Sequence, residues 1–196
     1  MDRIRRLISE IRDYGIKNEV PIMSEDTIDT IIKIIKDNNI KSILEIGSAI
    51  GYSTICFAST NIDKITSIER DKVRFNIAQN NVKKSKLNNI ELILNDALEV
   101  NITTKYDMVI IDAAKSQNMK FMNKFKENLN ENGIIIIDNL SFHGYVGKSS
   151  EIKSRNLRQM VRKIEKFLDY LDNQTEYSVE YIEVGDRLGI CKKKSI

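Results

Sequence analysis

Short, continuously apolar runs alternate with longer segments of helical periodicity along most of the chain. Three of the runs lack any polar alternation, which is typical of strands buried on both faces of a parallel sheet: Ile43–Leu44, Met108–Ile111 and Ile134–Ile137. Strand–helix alternation of this kind predicts an α/β fold, doubly wound and Rossmann-like, with right-handed crossovers. The predicted strands are Ser42–Ile46, Lys64–Ile68, Ile90–Leu94, Asp107–Ile111 and Gly133–Ile137.

The helical segments lie before and between these strands. Ser24 has the chemistry of an N-cap, and an apolar stripe follows it at Ile28, Ile31, Ile32 and Ile35. The other predicted helices are Tyr52–Ser59, Asp71–Lys86, Met119–Leu129 and Glu151–Leu171. At the end, Tyr177–Val184 and Leu188–Lys192 flank a turn at Gly185 or Asp186, which predicts an antiparallel hairpin. We therefore expect a mostly parallel seven-stranded sheet closed by a C-terminal hairpin.

Composition bounds the class of protein. The 196 residues, 41% hydrophobic and 30% charged, fit one globular domain over 1–196, with 1–23 as an N-terminal helix and cofactor-covering segment. No apolar run is long enough for a bilayer and the first residues carry no signal-peptide stretch, so we expect a cytoplasmic protein with no membrane partner. A single histidine and two distant cysteines, which we expect to be buried inert thiols, argue against a zinc site. Any metal is expected to have oxygen ligands.

Charge is unevenly distributed. The net charge is only +3, yet the segment from Lys148 to Lys166 holds seven Lys or Arg against two Glu. The remainder has 24 basic against 26 acidic residues, so one segment carries the basic character.

The loop after the first strand indicates the cofactor. Gly47 and Gly51 have the spacing G-x-x-x-G, which differs from the G-x-G-x-x-G that binds a dinucleotide pyrophosphate. Glu45, just before the loop, would repel a pyrophosphate but suits an ammonium group or an ordered water. S-adenosylmethionine (SAM) has the ammonium group and lacks the phosphates. The pattern therefore favours SAM over a nicotinamide cofactor, although a simple strand–helix turn would also carry it.

Two further strand ends extend this site, since ligands of open α/β sheets bind beyond the carboxyl ends of the strands. Glu69 ends the second strand, where a carboxylate commonly accepts hydrogen bonds from ribose hydroxyls. Asp96, followed by a small residue, ends the third and can meet the adenine edge. A solvated acid at a strand end is the alternative for each.

Acidic residues also follow the fourth and fifth strands. Asp112, Asp138 and Asn139 form a set of hard oxygen donors suited to Mg²⁺ or another divalent cation. Without a cation the two acids would repel each other, and at least one pKa would rise. Lys115, three residues beyond Asp112, is a candidate general base, or a residue that only positions the substrate. His143 lies on a loop that we expect to act as a flexible lid over the substrate. We expect His143 itself to be a loop residue and not a catalyst.

These motifs together resemble the metal-dependent O-methyltransferase family of class I SAM-dependent enzymes, to which catechol and caffeoyl-CoA methyltransferases belong. The resemblance rests on Leu44–Ser53, Ser67–Arg70, Ile111–Lys115 and Ile137–Asn139, in order along the chain. Within the family, the closest likeness is to the bacterial tRNA 5-hydroxyuridine methyltransferases. It is carried by Val20–Met23, Ala49–Ser53, Asp112–Lys115 and Val184–Ile190.

The resemblance implies methylation of 5-hydroxyuridine at the tRNA wobble position to 5-methoxyuridine, by a homodimer. It implies SAM contacts at Met23, Ser53, Glu69, Asp96 and Asp112, with Glu45 and Gly47 lining the loop. The implied metal ligands are Asp112, Asp138 and Asn139, and the implied catalytic pair is Lys115 and Asp112.

The basic segment favours a tRNA anticodon loop as partner. Arg155, Arg158 and Arg162 share a helix face by their i, i+3, i+7 spacing, and Lys163 adjoins them. Such a face attracts phosphates, although it is also typical of a solvated helix. Three alternatives stay open: a small catechol-like phenol as substrate, a nicotinamide-dependent oxidoreductase, and a non-catalytic RNA-binding protein.

Overall fold

A computed structural model describes residues 2–194, so Met1, Ser195 and Ile196 of the predicted domain lie outside the described residues. The chain forms six α-helices and seven strands over this range. The helices are α1 (Asp2–Lys17), α2 (Glu25–Asp37), α3 (Tyr52–Ala58), α4 (Lys72–Ser85), α5 (Asn118–Phe125) and α6 (Arg155–Asn173). The strands are β1 (Ser42–Ile46), β2 (Lys64–Glu69), β3 (Ile90–Leu94), β4 (Tyr106–Ile111), β5 (Leu129–Ile137), β6 (Tyr177–Ile182) and β7 (Leu188–Lys193).

The strands form one seven-stranded sheet in the order β3-β2-β1-β4-β5-β7-β6. This confirms the predicted α/β fold class with its C-terminal hairpin. The chain divides into two compact units, an N-terminal unit up to Ile102 and a C-terminal unit from Thr103 onward. None of the helices within residues 2–194 combines the length and apolarity that crossing a bilayer requires.

The N-terminal unit is built on parallel pairing of β1 with β2 and of β2 with β3. The apolar side chains of β1 are fully buried, as expected for a strand covered on both faces. Ser24 is the N-cap of α2, as predicted, because its Oγ accepts the Thr27 amide at 3.3 Å. Ile28, Ile31 and Ile35 of the predicted stripe are buried.

The C-terminal unit combines parallel and antiparallel pairing. β4 pairs in parallel with β5, and β7 runs antiparallel to both β5 and β6. The β6–β7 turn closes where the Arg187 amide donates to the Val184 carbonyl at 3.0 Å. Gly185 and Arg187 take φ values of 55° and 66° in this turn, so one of its two left-handed residues is a glycine. Cys56 and Cys191 are buried free thiols, as expected, and burial raises the pKa of each to about 12.

Two predicted helix boundaries are wrong. The helix predicted to reach Leu129 ends at Phe125, and Leu129 instead begins β5, four residues before the predicted start. A Cβ on Gly133 would stand 2.5 Å from Leu129 Cγ, so the Leu129 side chain packs over the bare glycine backbone. The last long helix begins at Arg155, not at Glu151, because the Ser154 side chain caps it by accepting the Leu157 amide at 3.4 Å.

Candidate active site

The loop between β1 and α3 folds back onto the end of β2. Gly47, Ala49 and Gly51 have φ values of 101°, 45° and 80°, which lie in the left-handed range. The Gly47 amide donates to the Ile68 carbonyl at 2.9 Å. A Cβ on Gly51 would stand 3.3 Å from Ala78 Cβ, so this glycine satisfies both the backbone angle and the close approach of α4. The predicted glycine loop is thus a tight turn whose shape depends on its glycines.

Glu69 at the end of β2 holds this loop. One carboxylate oxygen accepts the Ala49 amide at 2.9 Å, and the other accepts the Asp71 amide at 2.7 Å. A carboxylate has about four acceptor positions, so lone pairs remain for two hydroxyl donors. The predicted contact of Glu69 with ribose hydroxyls stays a prediction, and the geometry leaves capacity for it.

Glu45 is 0% exposed, inside the N-terminal unit. Its carboxylate accepts the hydroxyls of Ser53 and Ser67, each at 2.5 Å, and that of Thr54. The glutamate therefore ties β1, the first turn of α3 and β2 together. The Ser53 hydroxyl is committed to Glu45 in this arrangement. The predicted cofactor contacts of Glu45 and Ser53 stay predictions, and the contacts present show a bracing role.

Three more residues belong to this region. Met23 is buried just before the N-cap of α2. The Asp96 side chain is 40% exposed, with one oxygen accepting the Leu98 amide at 2.8 Å and the other 3.8 Å from an Arg70 nitrogen. Ser48 is not among the site residues predicted from the sequence, yet its buried Oγ has no hydrogen-bond partner. Its position directly after Gly47 is the one sequence feature that indicates a cofactor contact.

The C-terminal unit brings together the residues of the predicted metal site. Asp138 directly follows β5, is 3% exposed, and its amide donates to the Ile111 carbonyl at 3.1 Å, beside Asp112. Burial, followed by the negative charge of Asp112, raises the pKa of the Asp138 carboxyl to about 6. Asn139 has a φ of 61°, and its amide donates to Asp138 Oδ1 at 2.8 Å. The two acids are near enough to repel each other, as the sequence predicts.

Lys115 lies at the same site. Its Nζ donates to Asp112 Oδ1 at 2.5 Å, and both side chains are mostly buried. The lysine also lowers the pKa of Asp138, which opposes the effect of Asp112. The structure therefore places Lys115 where a proton can be held, and its role as the general base stays a prediction.

The donor chemistry fits a divalent cation. Two carboxylates and an amide oxygen are the ligands that Mg²⁺ and similar cations take. Asp138 is buried with one backbone donor and a like charge beside it, so Lys115 compensates its charged form only in part, and a cation would supply the remainder. Among residues 2–194 no group of three His, Cys, Asp or Glu side chains is arranged to hold a metal. The predicted set contains two acids and an amide, and its role as a metal site stays a prediction.

The loop after Asn139 contains the residues predicted to form a lid. Consecutive turns bend it, with Gly144 bonded to the Ser141 carbonyl at 3.2 Å and Tyr145 to the Phe142 carbonyl at 3.1 Å. The His143 side chain is 74% exposed. Whether the loop moves as a lid stays a prediction, as does the non-catalytic role of His143.

The predicted basic face is present on α6. Val161, Ile164 and Phe167 are buried along one side of the helix. Arg155, Arg162 and Lys163 are exposed, and Arg158 is half-buried. The helix therefore presents guanidinium and ammonium groups to solvent, which suits phosphate binding without requiring it.

Comparisons with known proteins agree on the family. Residues 3–194 match the family model described as O-methyltransferase. A candidate caffeoyl-CoA O-methyltransferase from Staphylococcus aureus has 39% identity and a TM-score of 0.89, covering 95% of this chain and 92% of that one. An O-methyltransferase from Bacillus cereus solved with SAH has 21% identity and a TM-score of 0.81, covering 96% and 91%. The caffeoyl-CoA O-methyltransferase of Populus kitakamiensis is 26% identical over 171 residues, 82% of this chain and 73% of that protein.

Proposed function

Because this chain belongs to the O-methyltransferase family of SAM-dependent enzymes, we propose that it methylates 5-hydroxyuridine at the wobble position of tRNA with the help of a divalent cation. The observation that carries the chemistry is the buried acid pair Asp112 and Asp138 beside Lys115. The basic face of α6 supports the choice of substrate. We also expect a homodimer, which light scattering during size-exclusion chromatography would test.

Asp112, Asp138 and Asn139 would hold the cation. When bound, it would supply a Lewis acid that favours the deprotonated form of a substrate hydroxyl. Lys115 donates a 2.5 Å hydrogen bond to Asp112, so the pair can hold a proton close to the substrate oxygen. The role of the two acids and Asn139 is to hold the cation and orient the hydroxyl, and the Lys115 ammonium can stabilise the negative charge on that oxygen before methyl transfer.

The N-terminal unit would bind SAM. Glu69 retains acceptor capacity for the ribose hydroxyls, and the unpartnered Ser48 hydroxyl is free to bond a polar group of the cofactor. Asp96, whose side chain is 40% exposed, is our candidate for the adenine edge. Met23, Gly47 and Ser53 complete the proposed set within this unit. Glu45 acts indirectly, by bonding the Ser53 hydroxyl at the start of α3 and so holding the end of the glycine loop in place.

A tRNA substrate agrees with the surface of α6. Arg155, Arg162 and Lys163 point away from the buried stripe of that helix and can pair with phosphates. A wobble base is unpaired, so an enzyme can reach it without opening a duplex. The 5-oxygen and the neighbouring 4-carbonyl of this substrate are oxygen donors of the kind that a divalent cation prefers.

A small catechol-like phenol is the second candidate. The printed names of the Staphylococcus and Populus proteins favour it, since caffeoyl-CoA carries two adjacent ring hydroxyls. These two oxygens are attached to adjacent ring carbons, as are the 5-oxygen and the 4-carbonyl oxygen of the modified uridine. The acid site alone therefore accommodates both acceptors.

One assay separates the two candidates. The purified protein is given methyl-labelled SAM and Mg²⁺ together with one of three acceptors: caffeoyl-CoA, tRNA bearing 5-hydroxyuridine, or tRNA bearing uridine as a control. We expect label only in the tRNA that bears 5-hydroxyuridine. Good turnover of caffeoyl-CoA with no label in either tRNA would overturn the tRNA proposal in favour of the phenol.

A charge variant tests the α6 surface. Arg155→Gln combined with Arg162→Gln should raise the KM for tRNA by about ten-fold and weaken its salt dependence by roughly two counterions. Lys33→Gln combined with Lys36→Gln removes the same charge from exposed positions of α2 and serves as the matched control. Equal KM values for the two double variants would contradict a phosphate-binding role for α6.

A further inference from the structure

The loop that follows β5 is fastened to the β6–β7 turn. The Leu140 amide donates to the Arg187 carbonyl, and the Ser141 amide to the Asp186 carbonyl, each at 3.0 Å. Leu140 is fully buried, and its Cδ1 lies 2.6 Å from where a Cβ on Gly189 would stand. Main-chain bonds and packing against a bare glycine therefore hold the loop as far as Ser141.

Beyond Ser141 the backbone enters an unfavourable conformation. Phe142 and His143 have φ values of 47° and 56°, so two consecutive non-glycine residues are left-handed. Residues of this kind avoid that region unless their surroundings hold them there. The His143 amide donates to both carboxylate oxygens of Asp186, at 2.8 Å each. The Asp186 side chain thus supplies a charged acceptor at the strained position.

We propose that Asp186 is a positioning residue, whose carboxylate holds the left-handed Phe142–His143 pair and thereby sets the shape of the acceptor-binding loop from Asn139 to His143. The inference rests on the proposed function in one respect, namely that Asn139 and its neighbours face the acceptor. The Asp186 carboxylate bonds the backbone of His143, so the proposed role is to position the loop and not to contact substrate or cation. From its sequence position alone, Asp186 is a candidate turn residue and nothing more.

The Asp186 carboxylate makes a second contact with the loop, to the His143 side chain. The same carboxylate lies 3.8 Å from His143 Nδ1, and the imidazole itself is largely exposed. The Asp186 side chain therefore links the hairpin turn to the loop that follows Asp138 and Asn139.

Hydrogen exchange tests the holding role without any substrate. Exchange of the His143 amide is measured in the wild-type protein, in Asp186→Ala and in Asp186→Asn. We expect about ten-fold faster exchange in the alanine variant and an intermediate rate in the asparagine variant, whose amide oxygen still accepts one bond. Glu180→Ala removes an exposed acid from β6 and should leave the rate unchanged.

Kinetics test the consequence for the acceptor. In Asp186→Ala the KM for tRNA bearing 5-hydroxyuridine should rise about five- to ten-fold, with partial rescue in Asp186→Asn, while the Kd for SAM stays within about two-fold. Caffeoyl-CoA replaces tRNA if it proves to be the acceptor. Unchanged exchange at His143, or an unchanged KM despite faster exchange, overturns the proposal. A wild-type protein that methylates neither acceptor overturns the proposed function, and the exchange rates still decide whether Asp186 holds the loop.

Discussion

Two buried acids, one in each unit, are treated differently by their surroundings. Glu45 in the N-terminal unit is completely enclosed and receives hydrogen bonds from the hydroxyls of Ser53, Thr54 and Ser67. Asp138 in the C-terminal unit is almost as buried, yet its carboxylate accepts one bond, from the Asn139 amide, and faces the charge of Asp112. The first carboxylate is supplied with donors, and the second is left short of them.

The contrast separates a structural acid from one that is suited to a ligand. Burying a carboxylate is costly unless donors or an opposite charge compensate it. Three hydroxyls give Glu45 that compensation within the chain, so it can brace the loop permanently. The unfavourable environment of Asp138 would be relieved by a cation. Burial and residue type alone do not distinguish the two, whereas the inventory of donors does.

Substitution of Asp138 should produce the largest effect. We expect Asp138→Ala to lower kcat by on the order of 1,000-fold, because it removes a predicted ligand of the cation that stabilises the substrate oxyanion. The Kd for SAM, measured by calorimetry, should stay near that of the wild type, since the proposed SAM contacts exclude Asp138. Full activity of this variant would disprove the metal mechanism, and with it the contrast between Glu45 as a structural acid and Asp138 as a cation ligand.

Substitution of Glu45 should instead damage the fold. Glu45→Ala leaves three hydroxyls without their acceptor and opens a cavity, so we expect a loss of unfolding free energy of at least about 3 kcal/mol. Urea titration followed by circular dichroism would measure it. Glu45→Gln keeps the shape and one acceptor oxygen and should lose less. A Glu45→Ala protein of wild-type stability would show that the hydroxyls find other partners.

Much of this arrangement could be predicted from the sequence. The bounds of β1 and β3 are those expected, because their apolar runs end at polar or turn-forming residues. Membership of the O-methyltransferase family, predicted from the motifs, is confirmed by the match over residues 3–194, while metal dependence and the tRNA substrate stay predictions. The clustering of Asp112, Lys115 and Asp138 followed from parallel strands ending at one edge. Local pattern and topology suffice for these features.

The partners of the buried acids could not be predicted in the same way. Ser53 and Ser67 lie 8 and 22 residues from Glu45, and nothing in their local sequence indicates that their hydroxyls converge on it. The link from Asp186 to His143 spans 43 residues. The early start of β5 at Leu129 was missed because the following Asn-Glu-Asn is polar. Side-chain pairing over such distances is decided by tertiary packing.

The pH dependence of stability tests the state of Asp138 directly. Its pKa is raised to about 6 in the folded protein, so the fold retains a proton that the unfolded chain releases near pH 4. Stability from this group is therefore complete below about pH 4 and is lost as the pH rises through about 6. Asp138→Asn should remove this loss.

We expect the metal-free Asp138→Asn protein to be more stable than the wild type at pH 7.5, by on the order of 2 kcal/mol, with little difference at pH 4. Thermal melts in EDTA at the two pH values would measure this, and Mg²⁺ should narrow the gap at pH 7.5. A wild-type advantage at pH 7.5 in EDTA would show that Asp138 is compensated within the chain after all.

A smaller effect is expected from two serines in the otherwise well-bonded N-terminal unit. The buried Ser48 hydroxyl has no partner, whereas the Ser53 hydroxyl bonds Glu45 at 2.5 Å. Ser48→Ala should therefore leave the SAM-free protein as stable or stabilise it by about 1 kcal/mol, while Ser53→Ala should destabilise it by a similar amount. If Ser48 bonds SAM, Ser48→Ala should also raise the Kd for SAM by roughly five-fold. Melting curves and SAM titrations of the two variants form a matched pair. Equal destabilisation of both would mean that an unpartnered hydroxyl does not mark a ligand-facing position here.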